Sequence, residues 1–133
     1  MNDDAIRAFC AENGIELLVL FGSIAERTER LGSDIDLAVK MKRGRTMAKL
    51  ELIYQLGALF PDREVDIVVL TIDTDPVLLF QIYSSGKPIY EEKPGIFDNG
   101  QLRACKLYYD TEKLRQLQKE YLRNFSKGVR HVA

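Results

Sequence analysis

Gly22 and Ser23 directly follow one apolar run, and Asp34 and Asp36 open the next, with ten residues between Ser23 and Asp34. Side chains alternate along a strand, so Asp34 and Asp36 project to the same side. Two carboxylates held that close repel unless a cation sits between them. Asp66 is a third acid of this kind: in EVDIVVL it stands alone among Val65, Ile67, Val68 and Val69. An acid in an apolar strand is costly to bury without a partner. If its strand neighbours that of Asp36, all three carboxylates meet at one sheet edge. Three hard oxygen ligands suit Mg²⁺, which takes a few carboxylates plus water and substrate phosphates. The Gly-Ser pair supplies the other half. Glycine permits a tight turn and a close backbone approach. A helix beginning just after it would turn free N–H groups toward a phosphate, and the Ser hydroxyl adds a donor. A phosphate-gripping turn opposite a metal-binding acid cluster is an arrangement for phosphoryl or nucleotidyl transfer. Either pair alone carries little, because small turn pairs are common and an aspartate can cap a turn or sit solvated on a strand. The combination carries the reading: fixed spacing, a strand on each side and a third acid in a later strand.

The elements that must position these groups follow from periodicity and punctuation. Residues 4–12 read as a short helix with Asp3 as N-cap, stopped by Asn13-Gly14. ELLVLF is a strand ended by Gly22, residues 23–33 are polar with a Gly32-Ser33 turn, and IDLAV is the second strand. Lys40, Lys42, Arg43 and Arg45 make a basic loop, read first as solvated and second as a contact for phosphate or a partner. Thr46 is placed to cap a helix whose stripe is Met47, Leu50, Tyr54 and Gly57, with Ile53, Leu56 and Phe60 beside it, broken at Pro61-Asp62. VDIVVL is the third strand. Asp75-Pro76 signals an N-cap with Pro at the first helical position, and VLLFQIYSS ends at Gly86. PIYEE is a short edge strand, since its Pro lacks a ladder donor. After the Lys93-Pro94-Gly95 linker, residues 100–125 read as one long helix with Leu107, Leu114, Leu117 and Tyr121 on one side, and KGVRHVA as a frayed tail. The expected fold is α/β (α+β): a small mixed sheet of about four strands, helices mainly on one face, and a long C-terminal helix.

Composition bounds the alternatives. A chain of 133 residues suits one domain (1–133, with a core of about 10–92 and the final helix at 100–125), and 46% hydrophobic with 29% charged residues is ordinary globular usage. A net charge of −1 gives no general attraction to nucleic acid or to an anionic membrane, so no direct nucleic-acid partner is expected. No apolar run approaches the ~18 residues needed to cross a bilayer, and the first residues show no apolar signal core, so a cytoplasmic location is expected. Cys10 and Cys105 lie in no C-x-x-C motif and read as free thiols. His131 is the only histidine and sits in the tail, which argues against a histidine base or a Ser-His-Asp triad. Tyr108, Tyr109 and Tyr121 read as packing residues.

The stretch LFGS-x10-DIDLAV resembles the nucleotidyltransferase superfamily that shares the DNA polymerase β palm. With VDIVVL, a helix ending in SSGKPIYEE and a long Tyr-containing final helix, it is most similar to the minimal nucleotidyltransferases. Among these it looks specifically like the MntA antitoxins of the HEPN/MNT toxin–antitoxin systems, and the likeness spans about residues 10–125. The resemblance implies that Gly22 and Ser23 hold the triphosphate of ATP and that Asp34 and Asp36 bind two Mg²⁺ ions. It also implies that Asp66 is the third carboxylate, ligating the catalytic metal and activating the attacking hydroxyl. It implies transfer of AMP to a tyrosine of a cognate HEPN ribonuclease toxin, which silences that toxin in a hetero-oligomer. The chain departs from relatives that carry a small-Arg-Gly triplet after Gly-Ser. It has Ala25-Glu26-Arg27-Thr28 there, and Arg27 receives no firm role.

Two other functions compete. One is nucleotide transfer to a small molecule such as an aminoglycoside, for which 133 residues leave no second domain to enclose the acceptor. The other is an antitoxin that acts by contact alone, against which three intact acids argue. The apolar side of the final helix is a candidate docking surface for the partner.

Overall fold

The computed structural model describes residues 3–132 apart from 23–33, with side chains described as far as Ser126. Among the described residues there are four strands and four helices. They are α1 (Asp3–Glu12), β1 (Ile15–Phe21), β2 (Ile35–Met41), α2 (Lys49–Ala58), β3 (Val65–Val69), α3 (Pro76–Ser85), β4 (Lys87–Glu91) and α4 (Ile96–Val132). The sheet order is β3-β2-β1-β4. β1 runs antiparallel to both β2 and β4, whereas β2 and β3 are parallel. PIYEE is an edge strand as expected, its exposed Pro88 costing the sheet little at the border.

The expected small mixed sheet with a long final helix is present, but helices cover both of its faces. One core joins Ile6 and Cys10 of α1 and Leu52 and Leu56 of α2 to Leu18, Leu37, Val39 and Ile67 of the sheet. A second joins Ile82 and Tyr83 of α3 and Phe97 and Ala104 of α4 to Leu17, Val19 and Ala38. β1 and β2 are therefore apolar on both sides, and near-continuous hydrophobic runs such as ELLVLF are the signature of that burial. A register shift between Ile15 and Leu17 inserts Glu16 as an extra residue, so Ile15 and Leu18 share one core while Leu17 serves the other. Glu16 then reaches Lys40 Nζ at 3.1 Å.

Three local expectations change. Thr46 does not cap α2; the N-cap is Ala48, without a side-chain bond, because Met47 packs against the first core before the helix begins. The buried stripe of α2 is Leu52, Leu56 and, just beyond it, Phe60, while Leu50 and Tyr54 are each 82% exposed. Apolar residues surround much of this helix, so periodicity alone did not choose the face. The final helix starts at Ile96, four residues early, and includes the tail to Val132. Its start is fixed by Glu91, whose carboxylate accepts the Phe97 N–H at 2.8 Å. The α3 cap is as expected: Asp75 Oδ1 accepts from Val77 N–H at 2.7 Å and Leu78 N–H at 3.4 Å, with Pro76 next. α3 and α4 approach closely at Gly100, where a Cβ would stand 2.6 Å from the Tyr83 ring. No helix among the described residues is long and apolar enough to cross a membrane.

Candidate active site

Parallel pairing of β2 and β3 sets Asp36 directly beside Asp66, as Cα partners. Neighbouring strands lie about 4.8 Å apart, so the two carboxylates start from adjacent positions. Ala38 and Val68, one alternation further along each strand, pack in the core under α3 and α4. Asp36 and Asp66 therefore point to that same face, beyond the apolar cover. Asp34 stands just before β2, another alternation back. Asp36 and Asp66 thus share one side at one end of the sheet, with Asp34 near enough for its charge to act on Asp36.

Their surroundings differ. Asp36 is half-buried, while Asp34 and Asp66 are exposed. Asp66 thus escapes the cost of burial expected for an acid among valines, because it is the second residue of a border strand. Desolvation first, then the charges of Asp66 and Asp34, push the Asp36 carboxyl above its usual 3.8. Phe21 is the cross-strand partner of Asp36 and lies against the second core. Sequence reasoning did not single out Phe21. Its signal was its place at the end of the apolar run, just before Gly22.

Gly22 closes the other side. Its φ is +81°, a conformation that favours glycine, and a Cβ there would run into the Asp36 Oδ2 atom. The phosphate-turn candidate and the acid cluster are thus in contact at their inner members. Ser23 and Arg27, like the Gly32-Ser33 turn, lie outside the described residues. So does the side chain of His131.

Hard carboxylate oxygens suit Mg²⁺ in kind. Among the described residues, however, no group of three or more His, Cys, Asp and Glu side chains is arranged so as to hold a metal ion. Asp34 and Asp66 are the two acids with solvent room to turn toward Asp36.

The other candidates sort by contact. In the basic cluster, Lys40 pairs with Glu16, Lys42 with Glu92 at 2.7 Å, and Arg45 donates to the Glu12 carbonyl at 3.5 Å. That loop is largely occupied with its own neighbours. Tyr108 stacks on Phe80 at 4.2 Å, and Tyr109 meets both rings edge-on. Tyr121, expected to pack, is 70% exposed. Cys10 is buried, which pushes its thiol up to about 12, and both cysteines are free.

The family model described as "Polymerase beta, Nucleotidyltransferase" matches residues 4–95. No curated protein matches the chain. Among solved structures, a chain of the crystal structure of a toxin–antitoxin with AMP-PNP is similar at a TM-score of 0.74 and 25% identity, covering 92% of this chain and 98% of that one. A chain of the tri-AMPylated Shewanella oneidensis HEPN toxin in complex with MNT antitoxin is similar at 0.67 and 23%, over 90% and 94%. A chain of the toxin–antitoxin MntA-HepT is similar at 0.67 and 23%, over 90% and 95%. At 23% identity these last two likenesses establish the shared fold.

Proposed function

The chain belongs to the polymerase β nucleotidyltransferase family, and on that premise we propose that it is an antitoxin that transfers AMP from ATP to a tyrosine of a HEPN ribonuclease toxin. The in-register Asp36–Asp66 pair against Gly22 is the observation that carries the reading. The similarity to a toxin–antitoxin with AMP-PNP, and to a complex whose toxin is tri-AMPylated, supports the nucleotide and the partner.

In this reading Gly22, with Ser23 after it, forms the turn that takes the triphosphate through backbone N–H groups. Asp34, Asp36 and Asp66 would hold two Mg²⁺ ions, which neutralise the triphosphate and polarise the α-phosphate when bound. Asp36 is the natural shared ligand: it is flanked by both other acids, and burial first, then their charges, push its carboxyl up, so a cation between the three would favour its charged form. Asp66 is exposed and can reach the acceptor, so it takes the proton of the tyrosine hydroxyl. The tyrosine oxygen bonds to the α-phosphorus as the bond to the bridging oxygen breaks, and pyrophosphate leaves with that electron pair. The exposure of Asp34 and Asp66 suits an acceptor delivered by a docked protein, whose docking supplies the orientation.

The test is incubation with labelled ATP, Mg²⁺ and a cognate HEPN protein. The expected product is the HEPN protein carrying AMP on tyrosine, located by mass spectrometry. Adenylylated aminoglycoside with an unmodified partner would move the assignment to small-molecule transfer. Full inhibition of the ribonuclease without ATP would move it to neutralisation by contact.

A further inference from the structure

β3 borders the sheet, and its hydrogen-bond phase fixes which of its backbone groups are spare. The Glu64 carbonyl accepts the Ile35 N–H at 2.8 Å, and the Leu70 N–H donates to the Val39 carbonyl at 2.8 Å. Backbone groups alternate sides along a strand, so between these two points Asp66 and Val68 also face β2. Val65, Ile67 and Val69 then turn their N–H and C=O groups outward, where no strand pairs with them among the described residues. The opposite border differs. β4 is blunted by Lys87, by Pro88 and by a register shift between Leu18 and Val19 of its partner. β3 has neither proline nor lysine, and its register with β2 is unbroken from Val65 to Val69. A straight aliphatic edge left open is a template for one more strand.

The acids decide which strand. Gly22 follows β1, Asp36 is on β2 and Asp66 on β3, so the turn assigned to the triphosphate lies on one side of the acids and the open edge on the other. Displacement in line needs the attacking oxygen opposite the leaving one, which makes the edge the side of approach for an acceptor. An antiparallel strand bonded to Val65, Ile67 and Val69 leaves Asp66 in a non-hydrogen-bonded pair, with Cα atoms about 4.5 Å apart and side chains at their closest. A tyrosine in that place shares the face of Asp66 and Asp36, and aromatic side chains reach diagonal neighbours as well. Val68, one alternation along, packs against the second core, so the open stretch of this face is at Asp66 itself. A second copy fits worse: β3 against β3 sets each Asp66 opposite an acid or an aliphatic side chain, and both are unfavourable.

We propose that the tyrosine-bearing segment of the HEPN toxin is taken up as a fifth strand on the free edge of β3, antiparallel to it, with its tyrosine opposite Asp66. Main-chain bonds to Val65, Ile67 and Val69 then supply the orientation that an enclosing pocket supplies elsewhere. Recognition through the backbone requires an extended segment, so a tyrosine locked inside a helix of the toxin is not an acceptor. The proposal rests on the function proposed above for the identity of the partner and the reaction.

The test uses the full chain and a cognate HEPN toxin. Amide exchange followed by NMR, with and without the toxin, reads the edge residue by residue. In the free chain the Asp66 and Val68 amides should exchange slowly and those of Val65, Ile67 and Val69 faster. In the complex the last three should slow by about tenfold or more. Val65→Pro and Val69→Pro each remove an outward N–H and leave the β2 ladder intact. Each should raise the KM for the toxin about tenfold, the worth of one backbone hydrogen bond, with ATP affinity unchanged. Val65→Thr with Val69→Thr keeps both N–H groups and should keep the KM. The exchange pattern of the wild type decides even where a proline variant folds poorly. Outward amides that stay fast in a complex that transfers AMP overturn the strand pairing and leave the transfer standing. Outward amides that slow in a complex whose toxin never carries AMP uphold the pairing and overturn the transfer. The same three amides already slow in a free chain that sediments as a dimer assign the edge to a second copy and overturn the proposal. So does AMP found only on a tyrosine that stays helical in the complex.

Discussion

Asp36 sits directly beside Asp66 in the parallel β2–β3 ladder, with Phe21 opposite it on the other side and the Gly22 backbone against its carboxylate. Burial and two neighbouring acids therefore act on one side chain. The folded protein holds the Asp36 proton above the usual 3.8, and the unfolded chain does not. As pH rises from 3.8 through that raised value, the unfolded state sheds the proton first and the folded state loses stability. Above the window the penalty is complete.

Asp36→Asn keeps the volume and removes the charge, so in chelator at neutral pH it should melt above the wild type. The gap should close as pH falls below 3.8. The same variant should lose transfer by more than about a hundredfold, since even outer-shell partners of a metal cost about 10–100-fold. Asp34→Asn should lose transfer similarly, with less gain in melting temperature because Asp34 is exposed. Near-wild-type transfer by either variant at saturating Mg²⁺ would sink the metal-ligand assignment.

Asp66→Asn should separate turnover from nucleotide binding. Its proposed role is on the acceptor hydroxyl, where a general base is worth about 10²–10⁴-fold. Calorimetry should show ATP·Mg²⁺ affinity retained while transfer falls by that factor. Loss of ATP binding as complete as in Asp34→Asn would contradict the division of roles.

The two cysteines should react at very different rates. Cys10 lies in the core of α1 at 0% exposure, with its thiol pushed up to about 12, so almost none is thiolate at about pH 8. Cys105 is partly exposed on α4. A thiol reagent should label Cys105 in the native protein and reach Cys10 only on unfolding. Two fast equivalents in the native state would show that α1 opens readily.

The acid cluster was legible in the sequence because strand alternation and an acid inside an apolar run are local signals. Asp36 and Asp66 needed only the adjacency of two strands to stand side by side. The α3 start was equally local, written in Asp75-Pro76. What escaped was set by tertiary context. Leu50 and Tyr54 match helical spacing as well as Leu52 and Leu56 do, and only the position of the sheet selects between them. The second covered face depends on α3 and the start of α4 folding back together, which no short window contains. Tyr121 looked like a packing residue for the same reason: its apolar stripe is real, but this chain supplies nothing to cover it among the described residues.

Gly22 and Asp36 should prove energetically coupled. Gly22 adopts φ +81°, and a Cβ there would collide with the Asp36 carboxylate. Gly22→Ala should therefore cost about 1–2 kcal/mol for the left-handed backbone, plus whatever is needed to displace Asp36. The first part survives any change at residue 36; the second disappears once the carboxylate is removed. In urea titrations, Gly22→Ala should thus cost more in the wild-type background than in Asp36→Ala, and the difference measures the contact. Transfer should fall in Gly22→Ala even where the fold survives, because the displaced carboxylate leaves its place beside Asp66. Equal costs in the two backgrounds, with full transfer by the single variant, would mean that the Gly22 turn and the Asp36 carboxylate do not form one site.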